Sequence, residues 1–537
     1  MKSFIIIIIP LFSFLLLSSC DNSNDLTGQK IIEEGRAPVD YDGPITRILE
    51  DNVHATKQNT TFALTENDFS YSHMYAFNRL FNHLNHNGYE HDRLVSGKLT
   101  SELLKNYDIL FLNLMDEQKP DFTEEEIEAV ESFINNGGGL FVIADHTNVY
   151  RHAEKTNPLL APYGIEIRYE IAVDVFPHSV AGLGWILVQD LKEHPVNEDL
   201  IEYSLQTGGP LDGPGGIGYT SEDGWGDLWD PEMKEGFYGN WSKDPDESWG
   251  PLSVIQAVQY GEGRVMVTGD QNIFGDPYLF FIDNDGLAFN GFEWLAQRED
   301  ETTSLRNRRP LGLNIRVDTK SDDLSMAKAG GSGHYTFYVN LNRVQEVTAH
   351  ATRTPLPFTP DVTMAVAPVN TIDASTINEM ESVLQDGGQV VFAANPSYIS
   401  SAAQDFLNYW QIDFNLETSD GSPLNILEES IEIPSLFEIT TIEQMRRNNL
   451  SFSSCHAIQC PGHAIVSAMD TNDNSCDLIC EYEIENGRLL LVFSSNYLKN
   501  SCLGGEHDVP HNNPDEDNYS ESCYYFELGL TDLLLEY

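Results

Sequence analysis

The sequence predicts an α/β protein made of two tandem copies of one domain with mostly parallel sheets. Three observations carry this. The stretch Ile134 to Asn148 reads INNGGGLFVIADHTN: glycines close a charged helix, five apolar residues (Leu140 to Ala144) follow, and the run ends on Asp145 and His146. A short apolar run of this kind fits a central parallel strand covered by helices on both faces. Similar runs alternate with amphipathic segments along the chain, the pattern of a sheet wound with crossover helices. The order of segments then occurs twice.

From residue 41, Ile45 to Glu50 reads as a first strand, followed by Asp51, Asn52 and His54. His73 to Leu84 places Met74, Phe77, Leu80, Phe81 and Leu84 at helical spacing, and Gly88 ends that helix. Tyr107 to Leu114 is a second buried strand carrying Asn113, with Asp116 just beyond. Thr123 and Glu126 form a capping box for a helix that runs to Asn136. After the organising strand come a helix near His152 to Leu160 and a turn with an edge strand in PYGIEIRYE. Gly208 to Gly250 is rich in Gly, Trp and acids without periodicity, so it reads as a long surface insertion; such loops are usually functional or mobile. Leu252 to Asn272 is a hairpin turned at Gly261 and Gly263 with its second strand ending at Asp270, and a helix from Asp283 to Ala296 closes the unit.

The second half repeats this order. Leu313 to Thr319 corresponds to the first strand, and GHYTFYVNLNRV, with His334, to SHMYAFNRLFNHL, with His73. Asp361 to Pro368 corresponds to the second strand, Ile377 to Ser397 to the helix and organising strand, and NGRLLLVFSSN to EGRVMVTGDQN. Five matched segments in one order define a duplication. The domains are therefore 41–300 and 311–537, joined by a charged linker at 301–310.

The address comes from the first residues. MKSFIIIIIPLFSFLLLSSC carries one Lys, a long apolar run interrupted by Pro, and small residues before Cys20, the pattern of a secretory signal. Leu17-Ser18-Ser19-Cys20 resembles the lipobox of bacterial lipoproteins, which implies acylation of Cys20, cleavage before it and attachment to a membrane of the bacterial envelope. Residues 21–40 then read as a tether. Six further cysteines, Cys455, Cys460, Cys476, Cys480, Cys502 and Cys523, all fall in the second domain; in an exported chain an even number favours up to three disulfides. The chain has 30 Lys and Arg against 84 Asp and Glu, a formal charge of -54, which repels phosphate backbones and argues against nucleic-acid binding.

The strand, capped helix, Gly-Gly, strand pattern, with PYGIEI and GEGRVMVTGDQNIF after it, resembles the class I glutamine amidotransferase-like superfamily, in particular amidotransferase-like domains of exported bacterial proteins and of accessory subunits of gliding-type transporters. The resemblance implies a flavodoxin-like, three-layer fold. It does not imply glutaminase activity: catalytic members carry a Cys at the strand-to-helix elbow, whereas here the elbow reads Ala144-Asp145-His146-Thr147-Asn148 in the first copy and Ala394-Asn395-Pro396-Ser397 in the second.

Parallel strands gather their C-terminal ends on one edge, where open α/β sheets place ligands. That edge would collect Asp51, Asn52, His54, Asn113, Asp116, Asp145, His146 and Asp270, with His152, Asp174 and His178 on following loops. Carboxylates and imidazoles there suit a divalent metal, with Asp145, His146 and Asp270 as its candidate ligands, or acid/base work; the same residue types also serve as helix caps. The second copy offers Asp318, Asn395, Ser494 and Ser495, and reads mainly as structural support or a partner surface. Acid runs at Asp244-Pro245-Asp246-Glu247 and Asp515-Glu516-Asp517 read as solvated loops. The expected function is binding of a small polar ligand, glycan or envelope partner at the first-domain edge, favoured by Trp225, Trp229, Trp241 and Trp249 of the insertion. The alternatives are a metal-assisted hydrolase of a glycan or peptide and an accessory subunit of an envelope machine.

Overall fold

The computed structural model describes residues 31–38, 41–54, 77–230, 238–298, 304–328, 332–394, 400–412, 462–469, 475–493, 495–503 and 521–536, apart from positions 181, 277, 343 and 345, with short strands at 416–417, 425–426 and 457–458. Two large sheets organise it. In the first, the parallel strands Tyr89–Leu94, Thr46–Asp51, Ile109–Leu112, Gly139–Ile143 and Gly263–Thr268 lie side by side in that order. Gly139–Ile143 is central: Leu110 pairs with Leu140 on one side, and Val267 with Val142 on the other.

Period-two alternation within that strand builds the layers. Phe141 and Ile143 point into a cluster with Ile48, Phe111, Met266, Phe81, Phe289 and Phe292, under the helices Asn78–His86 and Asn284–Leu295. Leu140 and Val142 point the other way, to Leu49, Leu110, Val267, Val130 and Leu160, under Glu124–Asn135 and His152–Leu160. Both faces are covered, so the strand has no polar side to show water. Thr123 caps the helix Glu124–Asn135: its hydroxyl accepts from the Glu126 N–H while the Glu126 carboxylate accepts from the Thr123 N–H at 3.0 Å.

The second sheet repeats the plan. Val347–Thr352, Leu313–Asp318, Val362–Val366, Gln389–Ala394 and Gly487–Phe493 are parallel in that order, and Ser475–Ile484 returns antiparallel, as Ser253–Tyr260 does in the first. Helices Tyr335–Leu341, Ala374–Gln385, Ser401–Tyr409 and Glu521–Leu535 take the places of the four helices above. Two flavodoxin-like three-layer units thus follow one another in the chain. They touch through Arg79, buried between them, whose guanidinium donates to the Asn342 carbonyl, to the Val344 carbonyl at 2.9 Å and to the Thr348 hydroxyl at 3.1 Å. Ile282 N–H donates to the Ala351 carbonyl at 2.8 Å across the same seam.

Two sequence expectations change. Part of the segment read as a tether, Ile32–Arg36, forms an edge strand antiparallel to Tyr89–Leu94; five residues supply too little alternation to be recognised without their partner. The stretch Gly208 to Gly250 is not wholly a surface insertion. Its Gly216–Tyr219 joins the main sheet beside Ser253–Tyr260, and Trp225–Leu228 forms the middle of a three-stranded sheet with Ser248–Trp249 and Glu170–Val173. Glycine-rich strands carry no periodic signal because the partner supplies their burial. Boundaries shift slightly elsewhere: the first strand runs Thr46–Asp51, and the helix expected from His73 is seen at Asn78–His86, with His73 outside the described residues. Cys476 and Cys480 share the strand Ser475–Ile484; four residues of strand separate their Cα atoms by about 13 Å, too far for a bond between them. Cys455 and Cys460 lie outside the described residues.

Candidate functional site at the strand edge

Four of the five parallel strands of the first sheet deliver a buried polar residue to the C-terminal edge: Asp51, Asn113, Asp145 and Asp270. Asp51 (0% exposed) ends the first strand; its carboxylate accepts from the Val53 N–H at 2.9 Å and contacts His54 Nδ1 at 2.6 Å. His54 Nε2 faces Glu126 at 3.7 Å, and the ring stacks on Phe122. Asp51, His54 and Glu126 therefore form one buried group, its third member a residue that the sequence marks only as a helix cap. Asn52 N–H donates to the Leu94 carbonyl, Asn113 Oδ1 accepts from the Leu114 N–H, and Asp116 accepts from the Gln118 N–H.

The centre of the edge is Asp145 with Asp270, which end neighbouring strands although 125 positions apart in the sequence. Asp145 accepts from the His146 N–H at 2.7 Å and from the Gln271 amide at 2.9 Å. Asp270 accepts from the Asn272 N–H at 2.8 Å and from the Gln206 N–H. Burial pushes Asp145 up to about 7 against the downward pull of those two hydrogen bonds. Burial, then the charge of Asp145, raises Asp270 well above the ordinary carboxylate range. At neutral pH the pair therefore holds at least one proton, because two buried like charges at one edge cannot both ionise cheaply.

The flanking residues fix this turn. His152 Nδ1 donates to the Val149 carbonyl at 2.8 Å, which leaves Nε2 to accept the Asp145 N–H at 3.2 Å; burial lowers the ring to about 4, so it stays neutral. Thr147, at the elbow, has φ 51°, which a β-branched residue rarely adopts, and its N–H donates to the Glu170 carbonyl at 2.9 Å. Asp174 accepts from the Ser221 N–H and hydroxyl and from the Val175 N–H, tying two loops together away from the Asp145–Asp270 pair. His178 is half-buried in that loop region, its N–H donating to the Val175 carbonyl. Gly208 and Gly209 cross the edge: a Cβ on Gly209 would lie 2.6 Å from the Asp145 carbonyl oxygen, and one on Gly208 2.8 Å from Asp270 Cβ. Only glycine lets a backbone pass so close.

The insertion covers what remains. Tyr238 stacks on His146 with ring centroids 4.8 Å apart, and Trp241 lies 5.4 Å from Tyr238. Trp225 is buried, packed with Tyr238 and Trp241, whereas Trp229, Trp249, Phe176, Tyr169 and Tyr150 are exposed. The acid run beside them is spent locally, with Glu247 accepting from the Leu228 and Asp244 N–H groups.

A metal fits this edge poorly on its donors. The oxygens of Asp145 and Asp270 face amide donors, and among the described residues no three His, Cys, Asp or Glu side chains gather as a ligand set. In the second copy Asp318 pairs with the buried Arg316 at 3.0 Å, while Asn395, Ser494 and the run Asp515 to Asp517 lie outside the described residues. Ser495 lines a cavity there.

The class defined by fold and edge is thus a duplicated, flavodoxin-like α/β protein. No family model and no curated protein matches the sequence. Among solved structures it is similar to the mmIFT52 N-terminal domain (17% identity, TM-score 0.35, 46% of this chain and 97% of that one) and to a ThuA-like protein from Bacteroides uniformis (16%, 0.28, 48% and 94%). A ThuA-like protein from Parabacteroides merdae is comparable (16%, 0.27, 47% and 90%). ThuA-like proteins have the class I glutamine amidotransferase-like fold.

Proposed function

We propose that the chain is an exported, lipid-anchored binding protein of the bacterial envelope, whose first-domain strand edge recognises a glycan and performs no glutaminase chemistry. One observation carries the choice of glycan: Tyr238 of the insertion stacks on His146 at the edge, and the insertion also exposes Trp229 and Trp249, the latter paired in the ladder with Trp225. Aromatic faces stack on the apolar faces of sugar rings, and the neighbouring polar groups hydrogen-bond hydroxyls. The charge of -54 selects against acidic polysaccharides and favours neutral or amino-sugar polymers. The elbows of both copies lack the thiol that amide transfer would need, and residues 21–454 contain no Cys at all. The lipobox at Leu17 to Cys20 supports the anchor, and six cysteines in an exported domain support disulfides.

The test is calorimetric titration of the full-length protein in detergent with neutral and amino-sugar oligosaccharides. The Trp229→Ala, Trp249→Ala double variant should bind at least about tenfold more weakly, the loss expected when exposed stacking aromatics are removed. Chelator should not change the wild-type affinity. Binding that survives the double substitution unchanged, or that chelator abolishes, overturns this reading; the second outcome would favour the metal-assisted hydrolase.

A further inference from the structure

The sequence of the second copy points to a supporting role, yet its strand edge holds a cavity of about 290 Å³. Asp322, Ser325, His334, Ser495 and Lys499 supply its polar wall; Val369 and Ala403 belong to an apolar one.

The polar wall is built. The strand Leu313–Asp318 leads into a turn in which Asp323 and Leu324 both take left-handed backbone, φ 56° and 57°, a conformation unfavourable for leucine. Residues held in such regions concentrate at ligand sites. The turn sets Asp322 to accept from the Ser325 N–H at 3.1 Å, and Ser325 to donate to His334 Nδ1 at 2.5 Å, while His334 Nε2 donates to the Ser495 carbonyl at 3.3 Å. Both histidine nitrogens are committed, and the ring is 1% exposed, so the histidine braces Ser325.

Three groups remain for a ligand. Asp322 Oδ2 and Ser495 Oγ have no partner among the described residues, although Asp322 is 4% and Ser495 0% exposed. Buried polar atoms left unpaired beside a cavity are the signature of a missing hydrogen-bonding partner. Lys499 bonds only the neutral Asn496 side chain, at 2.7 Å, and pairs with no carboxylate among the described residues. Lys328, by contrast, is neutralised by Asp323 at 2.9 Å. Among the described residues of the lining, Lys499 is thus the cation with no carboxylate partner; burial raises Asp322 above the ordinary carboxylate range and lowers Lys499 from its ordinary value.

We propose that this cavity is a binding site for a small hydroxylated organic carboxylate, its charge held by Lys499 and its hydroxyls by Ser495 and Asp322. The apolar wall and the volume favour a short carbon skeleton over a bare inorganic anion. The acidity of the rest of the chain is no obstacle, because salt screens it beyond about 8 Å at physiological strength. The site is separate from the aromatic layer of the first domain.

Calorimetry on the full-length protein in detergent tests it, with sodium gluconate as the probe and glucose and inorganic phosphate as controls. Gluconate should bind with a Kd on the order of 1 mM or tighter, as an anion of this size allows. Lys499→Gln should weaken it roughly tenfold, the scale of one charged hydrogen bond, with Lys499→Arg recovering most of the loss and Trp249→Ala changing nothing. Equal circular dichroism and melting of the Lys499 variants would show that they fold. No gluconate binding at about 10 mM, equal binding of glucose, phosphate binding in place of gluconate, or full affinity in Lys499→Gln would each overturn the proposal.

Discussion

Replacing Asp145 by Asn should stabilise the protein at alkaline pH and not at acid pH. The carboxyl ionises at 3.8 in an unfolded chain and at about 7 in the folded one. A folded-state pKa raised above the unfolded value gives a contribution that is full below about 4 and is lost as the pH rises through about 7. A difference of that size corresponds to about 4 kcal/mol at most, and coupling to Asp270 reduces what one substitution recovers, so about 2–4 kcal/mol is expected at pH 8. The edge can accommodate the new side chain: its Oδ1 still accepts the His146 N–H, and a flip of Gln271 turns the unpartnered Oε1 of that residue toward the new amide. For a domain of this size the gain is a melting shift of roughly 4–12 °C. The quantity to plot is the melting temperature of the variant minus that of the wild type from pH 5 to pH 8.5. It should climb with pH, and Asp270→Asn added to Asp145→Asn should be non-additive by about 0.5–3 kcal/mol. A difference that is flat in pH, or that falls, refutes the buried-pair argument.

Two further outcomes follow from the same geometry and from the sequence. Glu126→Gln should cost about 1–2 kcal/mol in chemical denaturation, because the carboxylate serves the Thr123 N–H and, at 3.1 Å, the Leu99 N–H while facing His54, and the amide keeps only one of those two acceptors; no loss would mean that the second acceptor and the charge facing His54 contribute nothing. Cell fractionation should find the wild type in membranes and Cys20→Ser released from them, and thiol titration of the denatured wild-type protein under non-reducing conditions should find few free cysteines. Soluble wild type would defeat the lipid anchor, and six reactive thiols would defeat the disulfides.

Much of the fold was legible because strand burial writes itself into composition. Leu140 to Ala144 and Leu489 to Val492 are apolar on both faces, and both faces are covered. The capping box at Thr123 and the turn at Gly261, with φ 59°, are local chemistry and could be read locally. The strands Ile32–Arg36 and Gly216–Tyr219 could not, since their existence depends on partners at residues 89–94 and 253–260. At the edge, the list of candidate residues was legible but their state was not. Asp145 and Asp270 meet only through strand register, and whether amides or a ligand would satisfy them depends on Gly208 and Gly209 crossing from a distant segment.

The duplication also explains why the cavity lies in the copy with fewer acids and imidazoles at its elbow. Aligning GRVMVTGDQN with GRLLLVFSSN sets Gln271 opposite Ser495, and the strand registers agree, with Thr268 beside Ile143 and Val492 beside Ala393. Gln271 reaches across the edge to Asp145 and fills the space between two strand ends. Serine at the same place is too short to cross, so its hydroxyl stays unpaired against an open volume. A count of acids and histidines ranks the first copy higher as a site, but among the described residues the side chain at this register position reaches Asp145 in the first copy and borders a cavity in the second. The two copies can therefore divide the work, the first presenting Tyr238 over its polar edge and the second a cavity in which, among the described residues, Lys499 has no carboxylate partner.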